Sequence, residues 1–435
     1  MKEGLEKRGF VPSLVDRCVF YKDGLVLLVY VDDCIILAKK QKMIETFLKS
    51  LRNGEEKYDF TDEGSVKNYL GVQIKNEQNG KIELHQPMLI QRILNSLPLD
   101  DKTKPRTTPA GRPLLSKDFD GIERKEEWHY RSMLGMLTYL EKSSRPDLSM
   151  AVHQCARFCN DPKLSHEKAV KRIGQYLLAT KERGIVYSPD HNRGLECYVD
   201  ADFAGQWDKN EANEPDKLLS RTGYIIMYCG CPVYWQSKLQ TEIALSTTES
   251  EYIAMSSATR QLIPCMNILK ELEVVIGLPY QKPVVKGKQF SNVDKGIDCV
   301  IYEDNQGCIA TAKCQKMTPR TKHIALKYHH FRSYVEKNII GIVSISTDDQ
   351  TADILTKPLE ENAFLRHRKL CVDIDLRGSV RLSHNYKKIS FCSESYIYET
   401  SSYNSDVRIR LNCLISSRLK TGQMLCFKTG RIVYF

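Results

Sequence analysis

The sequence predicts a soluble multidomain chain of α/β and α+β character. Its 435 residues suit roughly two to four domains with sizeable cores. Short apolar runs closed by turn residues, such as Tyr198-Val-Asp-Ala-Asp-Phe-Ala-Gly205 and Arg221 to Tyr228, read as strands. Longer runs with a helical period, such as Thr248 to Leu272, read as helices. Strand and helix candidates follow one another along most of the chain.

Composition narrows the function. A formal net charge of +10 with 27% charged residues permits a polyanionic partner without requiring one. The opening Met1-Lys-Glu-Gly-Leu-Glu6 does not read as an export signal, and the longest apolar run, Leu25 to Ala38, is broken by Asp32 and Asp33, so no membrane partner is expected. The 15 cysteines lack paired zinc-ligand spacing, and Cys229-Gly-Cys231 reads as a strand-turn fragment. Free thiols in a reducing, intracellular compartment are the expectation.

In chain order, Leu25 to Val31 and Cys34 to Ala38 form a hairpin-like pair joined at Asp32-Asp33. Two acids at a hairpin tip suit a hydrated magnesium ion, and they equally suit an ordinary turn. A helix from Gln41 to Leu51 leads to strands Tyr69 to Ile74 and Lys81 to His85, joined across Asn79-Gly80, a strong hairpin turn. A helical Gln86 to Leu97 follows, then a linker, Lys104-Pro-Arg-Thr-Thr-Pro-Ala-Gly-Arg-Pro113. Tyr130 to Leu140, Ser144 to Leu148 and His166 to Thr180 predict three further helices.

The run Tyr198 to Gly205 is an apolar strand that ends in carboxylates. Leu195, Cys197 and Val199 share one face, and Tyr198, Asp200 and Asp202 the other. Buried acids need a partner or a cation; an exposed strand end needs neither. Three later segments repeat the pattern of an acid set in an apolar element. On the helix from Thr248, Glu249 and Glu251 point in divergent directions, and the stripe Tyr252, Met255, Leu262, Met266 and Leu269 passes closer to Glu251. Glu249 reads as a first-turn residue favoured by the helix dipole. In Val300-Ile-Tyr-Glu-Asp-Asn-Gln306, alternation sets Asp304 with Val300 and Tyr302, and Glu303 on the opposite face, which selects Asp304 as the ligand.

The ordered motifs Tyr30-Val-Asp-Asp33, Leu70-Gly71, Arg145-Pro-Asp147, Tyr198-Val-Asp-Ala-Asp202 and Arg320-Thr-Lys-His323 resemble the carboxyl-terminal part of copia-type retrotransposon Pol polyproteins over roughly residues 5 to 370. The resemblance implies a truncated reverse-transcriptase palm and thumb remnant over residues 1–103 carrying Asp32 and Asp33. It also implies a linker and helical connection over 104–193, and a ribonuclease H-like mixed sheet with flanking helices over 194–370. Residues 371–435 match nothing in that family and form an unassigned tail, expected to be poorly ordered or loosely attached. Residues 281–298 read as a loop insertion.

The same resemblance selects Asp353, in Asp349-Gln-Thr-Ala-Asp-Ile-Leu-Thr-Lys357, as the fourth acid, with Asp349 as a helix cap. Asp200, Glu251, Asp304 and Asp353 together make an oxygen-only set, which suits magnesium or manganese and not zinc. The implied activity is hydrolysis of the RNA strand of an RNA–DNA hybrid with two ions per site. Arg320, Lys322, Lys327 and Arg332 are candidates for phosphate contacts, though a basic helix face is often merely solvated. No flexible histidine loop precedes Asp353, since Ser344 to Asp349 is short, and His323 is remote in sequence. Only a short segment precedes Tyr30, so templated DNA synthesis is not expected from this chain alone. The competing expectations are a noncatalytic nucleic-acid-binding remnant and a reverse transcriptase completed by another Pol segment. The expected location is the cytoplasm or a retroelement particle, with nuclear entry open.

Overall fold

The computed structural model describes residues 2–372 and 430–434, except 32, 54–56, 77–79, 126, 206, 208–214, 285–296, 315–323 and 325. It is a mixed α/β chain built on three sheets. The first follows a short helix, α1 (Lys2–Lys7), and contains β1 (Val11–Pro12), β2 (Val19–Lys22), β3 (Leu25–Tyr30) and β4 (Asp33–Ala38). Helix α2 (Gln41–Asn53) then leads to β5 (Phe60–Ser65). The sequence Leu25 to Ala38 is apolar on both faces because the sheet is covered on both. Val26, Leu28, Ile35 and Leu37 face the main core, while Leu25, Leu27, Cys34 and Ile36 pack with Ile44, Phe47, Leu48 and Leu51 of α2. Strands β3 and β4 pair out to Tyr30 opposite Asp33, and Val31 in the turn takes φ +49°.

One short piece near the end of the tail is described. Gly430–Tyr434 forms a strand, β15 in chain order, that lies parallel between β4 and β5 in this first sheet. Without it, β4 would present a row of unpaired backbone groups. Residues 373–429 lie outside the described residues.

The second sheet contains β6 (Asn68–Tyr69), β7 (Val72–Asn76), β8 (Ile82–His85) and β9 (Ile185–Tyr187). The stretch Tyr69 to Ile74 is therefore not one strand. Leu70 and Gly71 take φ +48° and +71°, forming a tight turn that folds β7 back on β6, and the Tyr139 hydroxyl donates to the Leu70 carbonyl. Helix α3 (Pro87–Asn95) starts with proline, whose missing N–H costs nothing there. It packs against α4 (Tyr130–Ser143) and α6 (Leu164–Leu178), and α5 (Ser149–Ala156) packs against both of those. The expected linker is tied down: Arg106 N–H donates to Gln175 O at 3.2 Å, and Arg172 donates to Thr108 Oγ1 at 2.8 Å.

Arg145-Pro-Asp147 is a structural lock. The fully buried Arg145 guanidinium grips both Asp147 oxygens at 2.9 and 2.8 Å and donates to Thr180 O and Oγ1. Tyr176 donates to Asp147 at 2.6 Å, and Arg368 donates to the Tyr176 oxygen at 3.3 Å.

The third sheet has the order β12-β11-β10-β13-β14, from β10 (Leu195–Asp202), β11 (Arg221–Tyr228), β12 (Cys231–Leu239), β13 (Cys299–Glu303) and β14 (Ile340–Ser344). The first three strands are antiparallel; β13 and β14 add in parallel. Short helix α7 (Pro215–Leu218) precedes β11, and the 30-residue α8 (Thr247–Ile276) follows β12. Helix α8 is capped by Ser246 at its start and by Gly277 at φ +60° at its end. Helices α9 (Gln306–Lys313), α10 (Arg332–Glu336) and α11 (Glu361–Cys371) complete the region.

One apolar cluster continues from β3 and β4 through α4 to α6 into this third sheet. Polar contacts cross the same boundaries. Trp235 Nε1 donates to Glu141 O at 3.0 Å, and Glu271 near the end of α8 accepts from Ser13, Leu14 and Tyr21 at 2.6 to 3.1 Å.

Candidate metal centre

The centre forms where β10 and β13 end side by side. Their parallel register pairs Tyr198 with Tyr302, whose rings stack at 4.8 Å, and two residues further along each strand stand Asp200 and Asp304. Asp200 is buried and takes a hydrogen bond from the Thr356 hydroxyl; Asp304 Oδ2 accepts from Thr347 Oγ1 at 2.8 Å. Glu251 reaches the same point from the first turns of α8. Among the described residues, Asp200, Glu251 and Asp304 each offer one carboxylate oxygen, all within 4.8 Å of one another. Glu249 is spent locally, accepting from Leu245 N at 2.8 Å at the helix start.

Asp353 arrives on the opposite side of β10. It sits in a single turn of 3-10 helix, Thr351–Leu355, whose cap is Gln350 and not Asp349. Gln350 Nε2 also donates to Val199 O at 2.9 Å, fastening the turn to β10. Gly223, paired with Asp200, lets the turn come so close: a Cβ there would lie 2.6 Å from Thr356 Cγ2 and 2.8 Å from Leu355 Cβ. Asp353 is buried beside Asp200 but does not join the three convergent oxygens; Lys357 Nζ lies 2.9 Å from its Oδ1 and 3.8 Å from Asp200 Oδ2.

Glu303 lies close enough for its charge to act on Glu251 without being one of the three convergent oxygens. Alternation does point it away from Asp304, but α8 and α9 cover that face. Glu303 is fully buried, with Oε1 accepting from Asn305 N at 3.1 Å and Oε2 lacking a hydrogen-bond partner. Glu251 Oε2 is likewise buried without one. Burial, then the charges of Glu303, Asp200 and Asp304, raise the Glu251 carboxyl far above the usual range, and burial does the same to Glu303. Burial and then Asp200 push Asp353 up to about 7 against the opposing pull of Lys357. A pocket of mutually repelling carboxylates with orphaned oxygens fits a hard divalent cation. Alternation alone hid Glu303, whereas the spacing Asp353 to Lys357, one helical turn, was a readable signal for the lysine.

The other expected residues scatter. Lys327 is paired with Glu242 and lies 4.8 Å over the Tyr328 ring, while Arg332 sits on α10 near Tyr252. Arg320, Lys322 and His323 lie outside the described residues, as does Asp32; Asp33 opens β4 in the first sheet. A groove of about 630 Å³ runs between α5 and β12, lined among others by Lys142, Tyr234, Trp235, Lys238 and Arg260. No helix among the described residues is long and apolar enough to cross a membrane.

Residues 1–111 match the family model for reverse transcriptase (RNA-dependent DNA polymerase). The chain is 32% identical over 382 residues to the retrovirus-related Pol polyprotein from transposon TNT 1-94 of Nicotiana tabacum, an alignment covering 85% of this chain and 26% of that polyprotein. It is 32% identical over 361 residues to the corresponding polyprotein from transposon RE1 of Arabidopsis thaliana, covering 82% of this chain and 22% of the relative. The chain thus spans about a quarter of the length of these curated relatives. The N-terminal RNase H domain of a Mycobacterium tuberculosis protein aligns with 41% of this chain and 97% of its own, at a TM-score of 0.23 and 9% identity, a likeness too faint to argue from. The two plant alignments each cover more than four fifths of the chain. The chain belongs to the copia-type LTR retrotransposon Pol polyproteins.

Proposed function

We propose that this Pol segment hydrolyses the RNA strand of RNA–DNA hybrids, using a ribonuclease H-like domain over residues 194–370. The observation that carries this reading is the convergence of Asp200, Glu251 and Asp304, from two strands and a helix, within 4.8 Å in an oxygen-only set. Magnesium or manganese bound there supplies Lewis-acid stabilisation of the scissile phosphate and a more acidic water. The chain's own groups prepare that chemistry. Thr356 and Thr347 fix the Asp200 and Asp304 carboxylates through their hydroxyls, and burial keeps bulk water from diluting the field at the strand ends. Asp353 and Asp200 together offer the oxygens that a second ion would require. The RNA strand is distinguished by its 2′-hydroxyl. The setting this implies is intracellular, in the cytoplasm or a retroelement particle.

The test is cleavage of an end-labelled hybrid by the purified chain, with and without magnesium. Cleavage confined to the RNA strand and abolished by chelator is expected. Failure to cut under any divalent ion would sink the proposal.

A second reading, nucleic-acid binding without hydrolysis, is favoured by the groove of about 630 Å³, whose lining includes Lys142, Lys238, Arg260, Tyr234 and Trp235. It predicts hybrid retention in a binding assay with no product at any ion concentration.

A further inference from the structure

We propose that Lys357 holds the second cation position of the acidic centre, so that the protein binds one divalent ion tightly and admits another only when the lysine ammonium withdraws. This deepens the nuclease reading and rests on it.

The four expected acids do not form one symmetric group. Three of them bring oxygens together, and the fourth, Asp353, lies outside that set beside Asp200 and is paired with the Lys357 ammonium. Lys357 Nζ stands 2.9 Å from Asp353 Oδ1 and 3.8 Å from Asp200 Oδ2, between the two oxygens that a second ion would share. Its own side chain is 28% exposed, while those of Asp200 and Asp353 are 4% and 8% exposed. The charge is thus presented from the solvent side of the pair, on a stem long enough to retract.

The placement is built, not incidental. Lys357 follows Asp353 by one turn, its N–H donates to Asp353 O at 3.2 Å, and the turn is anchored by Gln350 to Val199 and by the close approach at Gly223. Thr356, the neighbouring residue, holds Asp200 Oδ2, the same oxygen that Lys357 faces. An ammonium supplies one positive charge and three donors to a phosphate, but cannot act as a Lewis acid. A second divalent ion entering beside it meets like charge at close range. The first position, at Asp200, Glu251 and Asp304, has three carboxylates to answer a divalent charge, while the closer partner of Lys357 is Asp353.

Manganese titration of the full chain, followed by EPR and calorimetry, tests this. The wild-type protein is expected to bind one ion tightly and a second at least tenfold more weakly. Lys357→Gln is expected to bring the second site to within about threefold of the first. Lys357→Arg, which keeps the charge, should retain the wild-type pattern, and Asp353→Asn should leave the tight site unchanged while Asp304→Asn removes it. Circular dichroism verifies folding of each variant. Two tight ions in the wild type, or no change in Lys357→Gln, overturns the lysine assignment and leaves the nuclease reading standing. No ion binding in any folded form overturns both.

Discussion

Two buried ionic clusters, one in the helical connection and one at the end of β10, follow opposite rules. Around Arg145 the carboxylate is answered: the guanidinium meets Asp147 in a fork, Thr180 and Tyr176 take up most of the remaining hydrogen-bonding capacity, and Arg368 adds a further positive charge nearby. Around Glu251 the carboxylates are not so answered. Asp200, Glu251 and Asp304 converge with Glu303 beside them, two of the four with orphaned oxygens, and the ammonium seen to face them among the described residues is that of the partly exposed Lys357. The Arg145 cluster fastens helices, because its buried carboxylate is held by partners within the fold. The acidic one holds repulsion that either protonation or a bound cation relieves, which makes it the candidate binding place of the fold.

The comparison breaks most visibly through activity. Asp200→Asn should lower hydrolysis of a hybrid by about 10²–10³-fold while the thermal midpoint stays level or rises, because one repelling charge has gone. A drop in stability with retained cleavage would mean that the cluster is structural after all. Arg145→Met is the mirror experiment: stranding Asp147 without its partner should cost about 3–5 kcal/mol in urea unfolding. An unchanged midpoint would show that the fork contributes nothing.

The pH response should separate the clusters by sign. Burial raises Asp147, but Arg145 outweighs it and holds the carboxyl below its ordinary value of 3.8, so its stabilisation is present above that value and fades as pH falls through the depressed one. Asp353 is raised from 3.8 to about 7, so the ion-free protein is favoured below about 4 and loses that contribution as pH climbs to about 7. Denaturation in EDTA between pH 4 and 8 should therefore show declining stability, and added magnesium should flatten the slope. A profile that rises through this range without metal would contradict the assignment. The smallest effect should come from Lys327→Ala, since that ammonium is already held by Glu242; hybrid affinity should change less than about threefold. A tenfold loss in a filter-binding assay would show that it contacts the substrate.

Much of the centre was legible because alternation and helical period are local. Asp200 and Asp304 follow from counting along two strands, and Glu251 from the stripe of Tyr252 and Met255. What counting does not reveal is the element that packs against each face. Alternation turns Glu303 away from Asp304, and on that face its charge meets Glu251 of α8. Leu70 at φ +48° broke a stretch that reads as one strand, since a leucine in that conformation carries no local signal. Strand β15 joins residues almost 400 positions from β4, a pairing that depends on the rest of the fold. Arg145-Pro-Asp147 was visible as a motif, while its work as a fork required Thr180 and Tyr176 to be brought alongside.

Helix α8 carries Glu251 at one end and Glu271 near the other, where it grips Ser13 and Tyr21 beside the hairpin sheet. At 1.5 Å per residue those two glutamates stand about 30 Å apart along the helix, with Pro264 in the interior between them. The helix is therefore a ruler between the sheet that bears Asp33 and the sheet that bears Asp200. A duplex lying across both would meet them at a spacing set by helical rise and not by a slack tether. Adding or removing one turn would slide one sheet about 5.4 Å relative to the other.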